Sequence, residues 1–367
     1  MQLSGFRIEE FGTGSSTLKK EKKPCRDYSS LPWIRRPPQR TFAALFVIFL
    51  LFYIMHFFWQ PGREFKDGRH ELKRNALWLQ HGWIGADSWF VENNRLAKKP
   101  LFRDVKKVRE FADLLNKHHI ADVYPHLCPV QNDGAIMPVD DRQTELFLRE
   151  LKGVRVLPWI GAPREDLDPQ NAARRKVFVQ SAAALLKRHP QFVGVHLNVE
   201  PWPDGNPEML LLLDELRAAL PTGKILSIAA YPPPTWWQPV PEVHWSQSYF
   251  EKVAARCGQM AVMMYDTGIR SRKIYQAVMR DWTRDVLNWT KGLKTPPEIL
   301  LGVPVYDDDE LYHRPGVENL ETALLGIHAG LGGYPKLPVH YQGAAIYSDW
   351  TMDGGEWRYW RENFCKP

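Results

Sequence analysis

The stretch FVGVHLNVE, residues 192–200, alternates apolar and polar side chains and predicts a buried β-strand. Successive side chains of a strand point to opposite faces, so His196, Asn198 and Glu200 share one face. The residues between them are valine or leucine and suit packing against helices. If this strand belongs to a closed barrel, its inward positions would normally hold branched apolar residues. A polar row that ends on a carboxylic acid therefore indicates a functional strand.

Seven further apolar runs of strand length lie on either side of this stretch, each rich in valine, isoleucine, leucine or aromatic residues. Such runs, bounded by polar or turn-forming residues, indicate buried strands. The eight predicted strands are 76–80, 121–124, 154–160, 193–199, 224–229, 260–265, 299–305 and 343–347.

Helical patterns separate the predicted strands, which favours a parallel sheet. The connection between the fifth and sixth strands is rich in proline and has only a short helix near 246–255. Eight strands with helical crossovers match a (β/α)₈ TIM barrel, whereas a doubly wound sheet is the alternative because periodicity does not show closure. The main predicted helices are 102–117, 144–151, 172–188, 207–219, 271–290 and 320–329.

Polar or aromatic residues follow several predicted strands. In a barrel these ends meet at one mouth, where active sites lie. The residues are Gln80, His81, Trp159, Glu200, Tyr231, Tyr265, Asp266, Tyr306, Asp307, Asp349 and Trp350.

The predicted fourth strand resembles that of family 18 glycoside hydrolases (chitinase-like proteins), which carries a D-G-x-D-x-D-x-E pattern. Gly194, Asn198 and Glu200 fall at corresponding places. Val193 and His196 stand where the family has its first and second aspartates, so the strand-four motif is degenerate.

Four other strands extend the resemblance over roughly residues 76–360. Residues 159–162 are similar to S-x-G-G, 263–266 to M-x-Y-D, and 301–306 to L-G-[IV]-P-x-Y. Residues 343–350 resemble G-x-x-x-W-S, with Tyr347 in the position of the tryptophan.

The resemblance implies retaining hydrolysis in which the 2-acetamido group of the substrate attacks, with Glu200 as general acid/base. Asn198 accepts a hydrogen bond from the acetamido N–H but carries no negative charge, which Asp266 supplies instead. Tyr265 hydrogen-bonds the acetamido carbonyl. The expected substrate-binding residues are His196, Trp202, Tyr347 and Trp350.

Two other functions remain open. The missing acids also suit a carbohydrate-binding protein that has lost turnover. The segment Asn198-Val199-Glu200-Pro201 is similar to a clan of retaining glycosidases with a second glutamate on strand seven, although residues 303–306 contain none. For His196, a structural role inside the barrel is the commoner one.

Residues 41–59 form an apolar run of 19 residues that predicts a single N-terminal transmembrane helix, about 28 Å long. The run is too long for a typical signal-peptide core, which favours a retained signal anchor. Residues 1–40 hold nine Lys or Arg against four Asp or Glu, which predicts a flexible cytoplasmic tail. After a linker at 60–75, the barrel (76–367) then lies in the periplasm or outside the cell.

Charge and cysteine content limit which partners and which disulfides we expect for this chain. The formal charge of +6 belongs mainly to the tail, so a nucleic-acid role for the barrel is not expected. Four dispersed cysteines exclude a disulfide scaffold, although one disulfide is possible among the three beyond the tail. No metal site and no cofactor are predicted. The expected partners are a polysaccharide or oligosaccharide substrate and a membrane bound through residues 41–59.

Overall fold

A computed structural model describes residues 39–365 of the chain. The predicted tail, residues 1–40, therefore lies outside the described residues except for its last two positions. The chain divides into two compact units, Met1–Phe58 and Trp59–Pro367. The helices are α1 (Gln39–Phe58), α2 (Ser88–Glu92), α3 (Lys99–Arg103), α4 (Val105–Lys117), α5 (Asp141–Glu150), α6 (Arg164–Leu167), α7 (Ala172–Arg188), α8 (Pro207–Ala219), α9 (Gln247–Ala254), α10 (Arg272–Thr290), α11 (Leu320–Leu331) and α12 (Gly354–Asn363). The strands are β1 (Asn75–Leu79), β2 (Ile120–Pro125), β3 (Arg155–Val156), β4 (Trp159–Pro163), β5 (Gly194–Glu200), β6 (Ile225–Ala230), β7 (Gln259–Val262), β8 (Glu298–Pro304) and β9 (Tyr341–Tyr347).

Helix α1 makes up the described part of the first unit. Its segment Thr41–Phe58 is long and apolar enough to cross a membrane, and a signal sequence has the same properties. None of the residues Thr41–Phe58 is buried. The helix is thus a candidate membrane span or signal anchor.

The second unit is an α/β fold built on a curled, nine-stranded parallel sheet in the order β3-β2-β1-β9-β8-β7-β6-β5-β4. The two outermost strands, β3 and β4, are consecutive in the chain and separated only by Leu157 and Pro158. Backbone bonds continue on both sides of this break, from Leu127 N–H to Trp159 O (2.7 Å) and from Val193 N–H to Val156 O (3.1 Å). This arrangement is consistent with a TIM barrel.

The third predicted strand, 154–160, is two strands rather than one. Pro158 has no N–H to donate to the neighbouring strand, which explains the break between β3 and β4. The sixth predicted strand, 260–265, ends early at Val262, and residues 263–265 continue without regular structure. The short helix expected near 246–255 is α9.

Polar N-cap residues begin most of the long helices and accept backbone N–H groups that have no partner within the helix. The Asn206 side chain caps α8 through Met209 N (2.9 Å), and Asn319 caps α11 through Thr322 N (3.0 Å). Asp353 begins α12 with a reciprocal capping box. Each of these helices follows a strand, namely β5, β8 or β9, so its N-cap ends a loop that begins at the carboxyl edge of the sheet.

Residues 60–75, predicted as a linker, belong to the second unit and contact α11. Arg63 N–H donates to Leu325 O of α11 at 2.9 Å. Farther along, the Nδ1 atoms of His70 and His328 lie 2.8 Å apart, and both rings are buried. The segment therefore runs along α11 before it enters β1.

A row of hydrogen bonds crosses the interior of the curled sheet. Trp78 Nε1 donates to His196 Nε2 (3.1 Å), so His196 carries its proton on Nδ1 and donates to Ser227 Oγ (2.8 Å). Ser227 in turn donates to Gln259 Oε1 (2.8 Å). Gln259 Nε2 then donates to Asp122 Oδ2 (2.6 Å) and to Glu298 Oε2 (3.0 Å). We call this set the interior row.

Candidate active site

Glu200 is the last residue of β5 and lies where the carboxyl ends of the strands meet, which we call the mouth. Asn198, two residues earlier on the same face, donates from Nδ2 to Glu200 Oε1 at 2.7 Å. Among residues 39–365, the buried Asn198 Oδ1 atom has no hydrogen-bond partner. An acceptor of this kind suits a ligand N–H, because a buried polar atom without a partner costs free energy.

The surroundings of Glu200 favour its neutral form. Its side chain is accessible, but protein surrounds it so closely that desolvation raises the carboxyl pKa. The hydrogen bond from Asn198 acts in the opposite direction, and the negative charge of Asp266 raises the pKa further. A carboxylic acid that keeps its proton above the usual range can act as a general acid.

Asp266 follows β7 and has the left-handed conformation, with φ of +60°. The Tyr306 hydroxyl donates to its Oδ1 atom, and 41% of its side chain is exposed. Tyr265, the preceding residue, is largely enclosed, and burial raises its phenol pKa well above the ordinary value. The phenol is therefore a neutral hydrogen-bond donor at the mouth.

Aromatic rings line the mouth around Tyr347, the last residue of β9. Its ring stacks on Tyr265 with centroids 5.6 Å apart and meets Trp78 edge-on from the interior at 5.7 Å. Trp350 packs edge-on against Tyr347 at 5.5 Å and remains 42% exposed. Tyr347 and Trp350 thus offer aromatic surface for the apolar face of a sugar ring.

Two expected substrate-binding residues are too buried for that role. His196 is 0% exposed, and both of its ring nitrogens are hydrogen-bonded within the interior row. Trp202 is 1% exposed and donates from Nε1 to the Tyr249 hydroxyl at 2.8 Å. We therefore correct both assignments: His196 and Trp202 support the mouth from within and leave no surface for a ligand.

Sequence reasoning missed a buried group behind Asp266. His313, in the loop between β8 and α11, places Nδ1 3.4 Å from Asp266 Oδ1. Glu318, at the end of that loop, lies 3.8 Å from the same nitrogen. Both side chains are fully buried. Their distance in sequence from Asp266 left no local pattern that could have revealed them.

Within the described part of the chain, no three His, Cys, Asp or Glu side chains lie close enough to hold a metal ion. Cys128, Cys257 and Cys365 are free thiols. The disulfide left possible by the sequence therefore does not form among these three residues.

Comparison with known protein families gives a match to the model of glycosyl hydrolases family 18 over residues 129–326, more than half of the chain. The chain belongs to family 18. The matched region contains β3 to β8 and with them Asn198, Glu200 and Asp266. No curated protein matches the chain.

Solved structures of chitinases share the fold. The chitinase from Chromobacterium violaceum is 13% identical, with a TM-score of 0.52 over 79% of this chain and 98% of that chain. A chitinase from Rhizomucor miehei is also 13% identical, with a TM-score of 0.50 over 78% of this chain and 98% of that chain. At these identities the likeness concerns the fold.

One family 18 glycine retained here has a direct physical reason. Gly161 of β4 has φ of +142°, and a Cβ atom at this position would lie 1.7 Å from Asn198 O. Only glycine therefore lets β4 approach β5 beside the Asn198–Glu200 pair. The departures lie away from the mouth: Val193 directly precedes β5, and His196 is fully buried in its first half.

Proposed function

We propose that this family 18 protein is a retaining glycoside hydrolase for β-linked N-acetylhexosamine-containing polysaccharide, with Glu200 as general acid/base. The observation that carries the proposal is the Asn198–Glu200 pair. One end of the Asn198 amide orients the acid, while Oδ1, without a partner among the described residues, is free for an acetamido N–H.

The reaction begins when Glu200 donates its proton to the glycosidic oxygen. The substrate's acetamido oxygen attacks the anomeric carbon, and the leaving sugar departs with the proton. Glu200, now a carboxylate, takes a proton from water as that water attacks the anomeric carbon and opens the oxazolinium ion. Protein groups retain the acetamido group: Asn198 accepts its N–H, and the Tyr265 hydroxyl donates to its carbonyl.

Asp266 compensates for the charge that Asn198 lacks. The oxazolinium that forms is positive, and a neutral amide gives it little electrostatic stabilisation. Asp266 is the partly exposed carboxylate whose charge already influences Glu200. We assign it the stabilisation of that positive charge.

We further propose that α1 is a signal anchor with its amino end in the cytoplasm, so that the second unit lies in the periplasm or outside the cell. The basic residues before the helix support this orientation. The substrate is then a polysaccharide of the envelope or of the extracellular space.

A carbohydrate-binding protein without turnover is the second candidate. It is favoured by the hydrogen bond from Asn198, which stabilises the ionised form of Glu200 and thus opposes its action as an acid. The occupied nitrogens of His196 also exclude it as a proton relay to Asn198.

The test is hydrolysis of β-N-acetylglucosaminyl oligosaccharides, peptidoglycan and exopolysaccharides by the full chain in detergent. We expect cleavage with retained configuration, and a loss of about 10²- to 10⁴-fold in kcat for Glu200→Gln. Glu242→Gln, an exposed glutamate in the loop after β6, is the matched control. Binding of these glycans without cleavage would favour the second candidate, and full turnover by Glu200→Gln would exclude Glu200 as the acid.

A further inference from the structure

The turn after β7 has an unusual backbone that presents Asp266 to the mouth. Asp266 and Gly268 both have left-handed conformations, with φ of +60° and +64°. Such a conformation costs free energy for a residue that has a Cβ atom, so contacts elsewhere have to stabilise it.

Glu318 supplies the first of these contacts. One carboxylate oxygen accepts the Thr267 N–H at 3.0 Å, and the other accepts the Thr267 hydroxyl at 2.9 Å. Thr267 Oγ1 itself accepts the N–H of Ile269 at 3.2 Å. Because the Thr267 N–H belongs to the peptide group that follows Asp266, Glu318 fixes the plane on which the orientation of Asp266 depends.

His313 supplies the second contact. Its Nε2 donates to Tyr306 O (3.2 Å), and its ring stacks on Tyr306 with centroids 4.0 Å apart. The Tyr306 hydroxyl donates to Asp266 Oδ1, and His313 Nδ1 lies 3.4 Å from the same oxygen. Two side chains of the β8–α11 loop therefore converge on one oxygen of Asp266.

The burial of Glu318 argues against a purely incidental role. A fully buried carboxylate costs free energy, and burial raises its pKa. The hydrogen bonds that offset this cost both come from Thr267, the residue that follows Asp266. The loop that carries His313 also contacts the turn at Gly268, because the Gly268 N–H donates to Tyr312 O at 2.6 Å.

We propose that Glu318 and His313 are positioning residues that hold the Asp266 carboxylate at the mouth in its left-handed conformation. The inference rests on the proposed function, since Asp266 matters to turnover only if the site is a glycosidase. The positioning itself is a property of the turn and is measurable without turnover.

The experiment compares Glu318→Ala with Glu318→Gln in the full chain in detergent. The glutamine keeps an acceptor for the Thr267 N–H and an amide that can donate to Thr267 Oγ1, whereas alanine removes both contacts. Glu321→Ala, an exposed glutamate in the first turn of α11, is the matched control. His313→Ala and His313→Gln form a second pair, because glutamine places an amide N–H near the position of Nε2, which donates to Tyr306 O.

Hydrogen exchange of the segment 264–270 is the first readout. We expect Glu318→Ala to exchange the Thr267 amide at least about 10-fold faster than wild type, with protection recovered in Glu318→Gln. Equal protection in wild type and Glu318→Ala overturns the proposal. This readout is decisive even if the protein cleaves none of the glycans, an outcome that would contradict only the proposed function.

Kinetics is the second readout. Misplacement of a charged group by about 1 Å can cost roughly 10²-fold in rate, so we expect Glu318→Ala to lower kcat by about that factor. KM should stay within about threefold, because the ground state relies little on Asp266. We expect His313→Ala to lower kcat and His313→Gln to recover part of the loss, because it restores a donor to Tyr306 O. An active wild type with unchanged kcat in both alanine variants contradicts the proposed positioning and leaves the glycosidase function standing.

Discussion

Asn198 is the residue whose chemistry limits the proposed reaction. Its amide can orient the acetamido group but cannot neutralise the positive charge that develops on it. Its Nδ2 atom also holds Glu200 by a hydrogen bond that favours the ionised acid. Both effects reduce turnover, and both arise because position 198 carries an amide, with Nδ2 in place of a second carboxylate oxygen.

We therefore expect Asn198→Asp to raise kcat by about 10-fold or more, because it places a carboxylate beside the developing charge. Two neighbouring carboxyl groups share a proton, which also strengthens the acid function of Glu200. Steady-state hydrolysis of a chromogenic N-acetylglucosaminide measures the change. Asn198→Ala is the control and should lower kcat, whereas equal rates for Asn198→Asp and wild type would contradict the assigned role.

The pH dependence of turnover belongs to Glu200 and its neighbour Asp266. Glu200 has to be protonated to act as the acid, so kcat falls as the pH rises through its raised pKa. Asp266→Asn removes a negative charge that raises this pKa. The alkaline limb of the kcat profile should therefore move to lower pH.

Asp308→Asn, in the exposed loop after β8, is the matched control for that profile. It should leave the alkaline limb in place. An alkaline limb that does not move in Asp266→Asn, or that moves to higher pH, would show that Asp266 does not act on the acid.

The alternation of residues 192–200 was enough to predict that Glu200 reaches the mouth and that His196 shares its face. The alternation could not show how far each residue lies from the mouth. His196 is fully buried inside the curled sheet, so it does not reach a ligand at the mouth. Trp202 shows the same limit, because residues beyond a strand turn either outward or inward according to contacts such as that with Tyr249. Packing of this kind has no signature in the local pattern.

Among the elements, β2, β3 and β8 are joined near their amino ends by a charged cluster of which only Asp122 is fully buried. Arg155 holds Asp122 through two bonds of 2.5 and 2.6 Å and reaches Glu298 at 2.6 Å. Arg74 contacts Glu298 from the other side at 2.7 Å. The Asp122 side chain is 1% exposed, so Arg155 is the guanidinium that compensates a buried carboxylate.

Arg155→Ala should destabilise the second unit by about 3 kcal/mol, because it leaves Asp122 buried without its ion pair. Arg74→Ala removes a cation that is 43% exposed and should cost about 1 kcal/mol or less. Urea unfolding followed by circular dichroism compares the two. Equal losses in both variants would contradict the difference in burial.

At this scale the sequence predicted the elements better than their connections. Strand runs, flanking turns and capped helices are local, and the order of strands and helices agrees with the prediction. The break at Pro158 is also local, but the apolar run through residues 154–160 concealed it. The Asp266–His313–Glu318 group depends on loops 40 or more residues apart, which no periodicity brings together.

For the whole molecule, the boundary at residue 58 separates an apolar helix from the second unit. Every side chain of Thr41–Phe58 is exposed, so this apolar helix remains a candidate membrane span. Strand periodicity alone could not show that the sheet curls until β3 and β4 adjoin, since that requires pairings between the two ends of the sheet.

We expect the full chain to remain in the membrane fraction after alkaline carbonate washing and to be released by detergent. Residues 59–367 alone should appear in the soluble fraction with a Tm within a few degrees of the full chain, because they form their own compact unit. The double variant Phe46→Arg/Leu50→Arg keeps the helix length and should reduce membrane retention, at about 2.5–3.5 kcal/mol per arginine. A full chain that is secreted or washes off would identify residues 41–58 as a cleaved signal or a peripheral segment.

The interior row limits what can replace His196. Trp78 donates to His196, His196 donates to Ser227, and Ser227 donates to Gln259, so the proton on each group is committed to the next one. An aspartate at position 196 has no proton to donate, so Ser227 would turn its hydroxyl toward the new side chain and leave Gln259 Oε1, which keeps the Tyr124 hydroxyl as its remaining donor. Positions 196 and 227 are therefore energetically coupled, whereas position 198 lies outside the row.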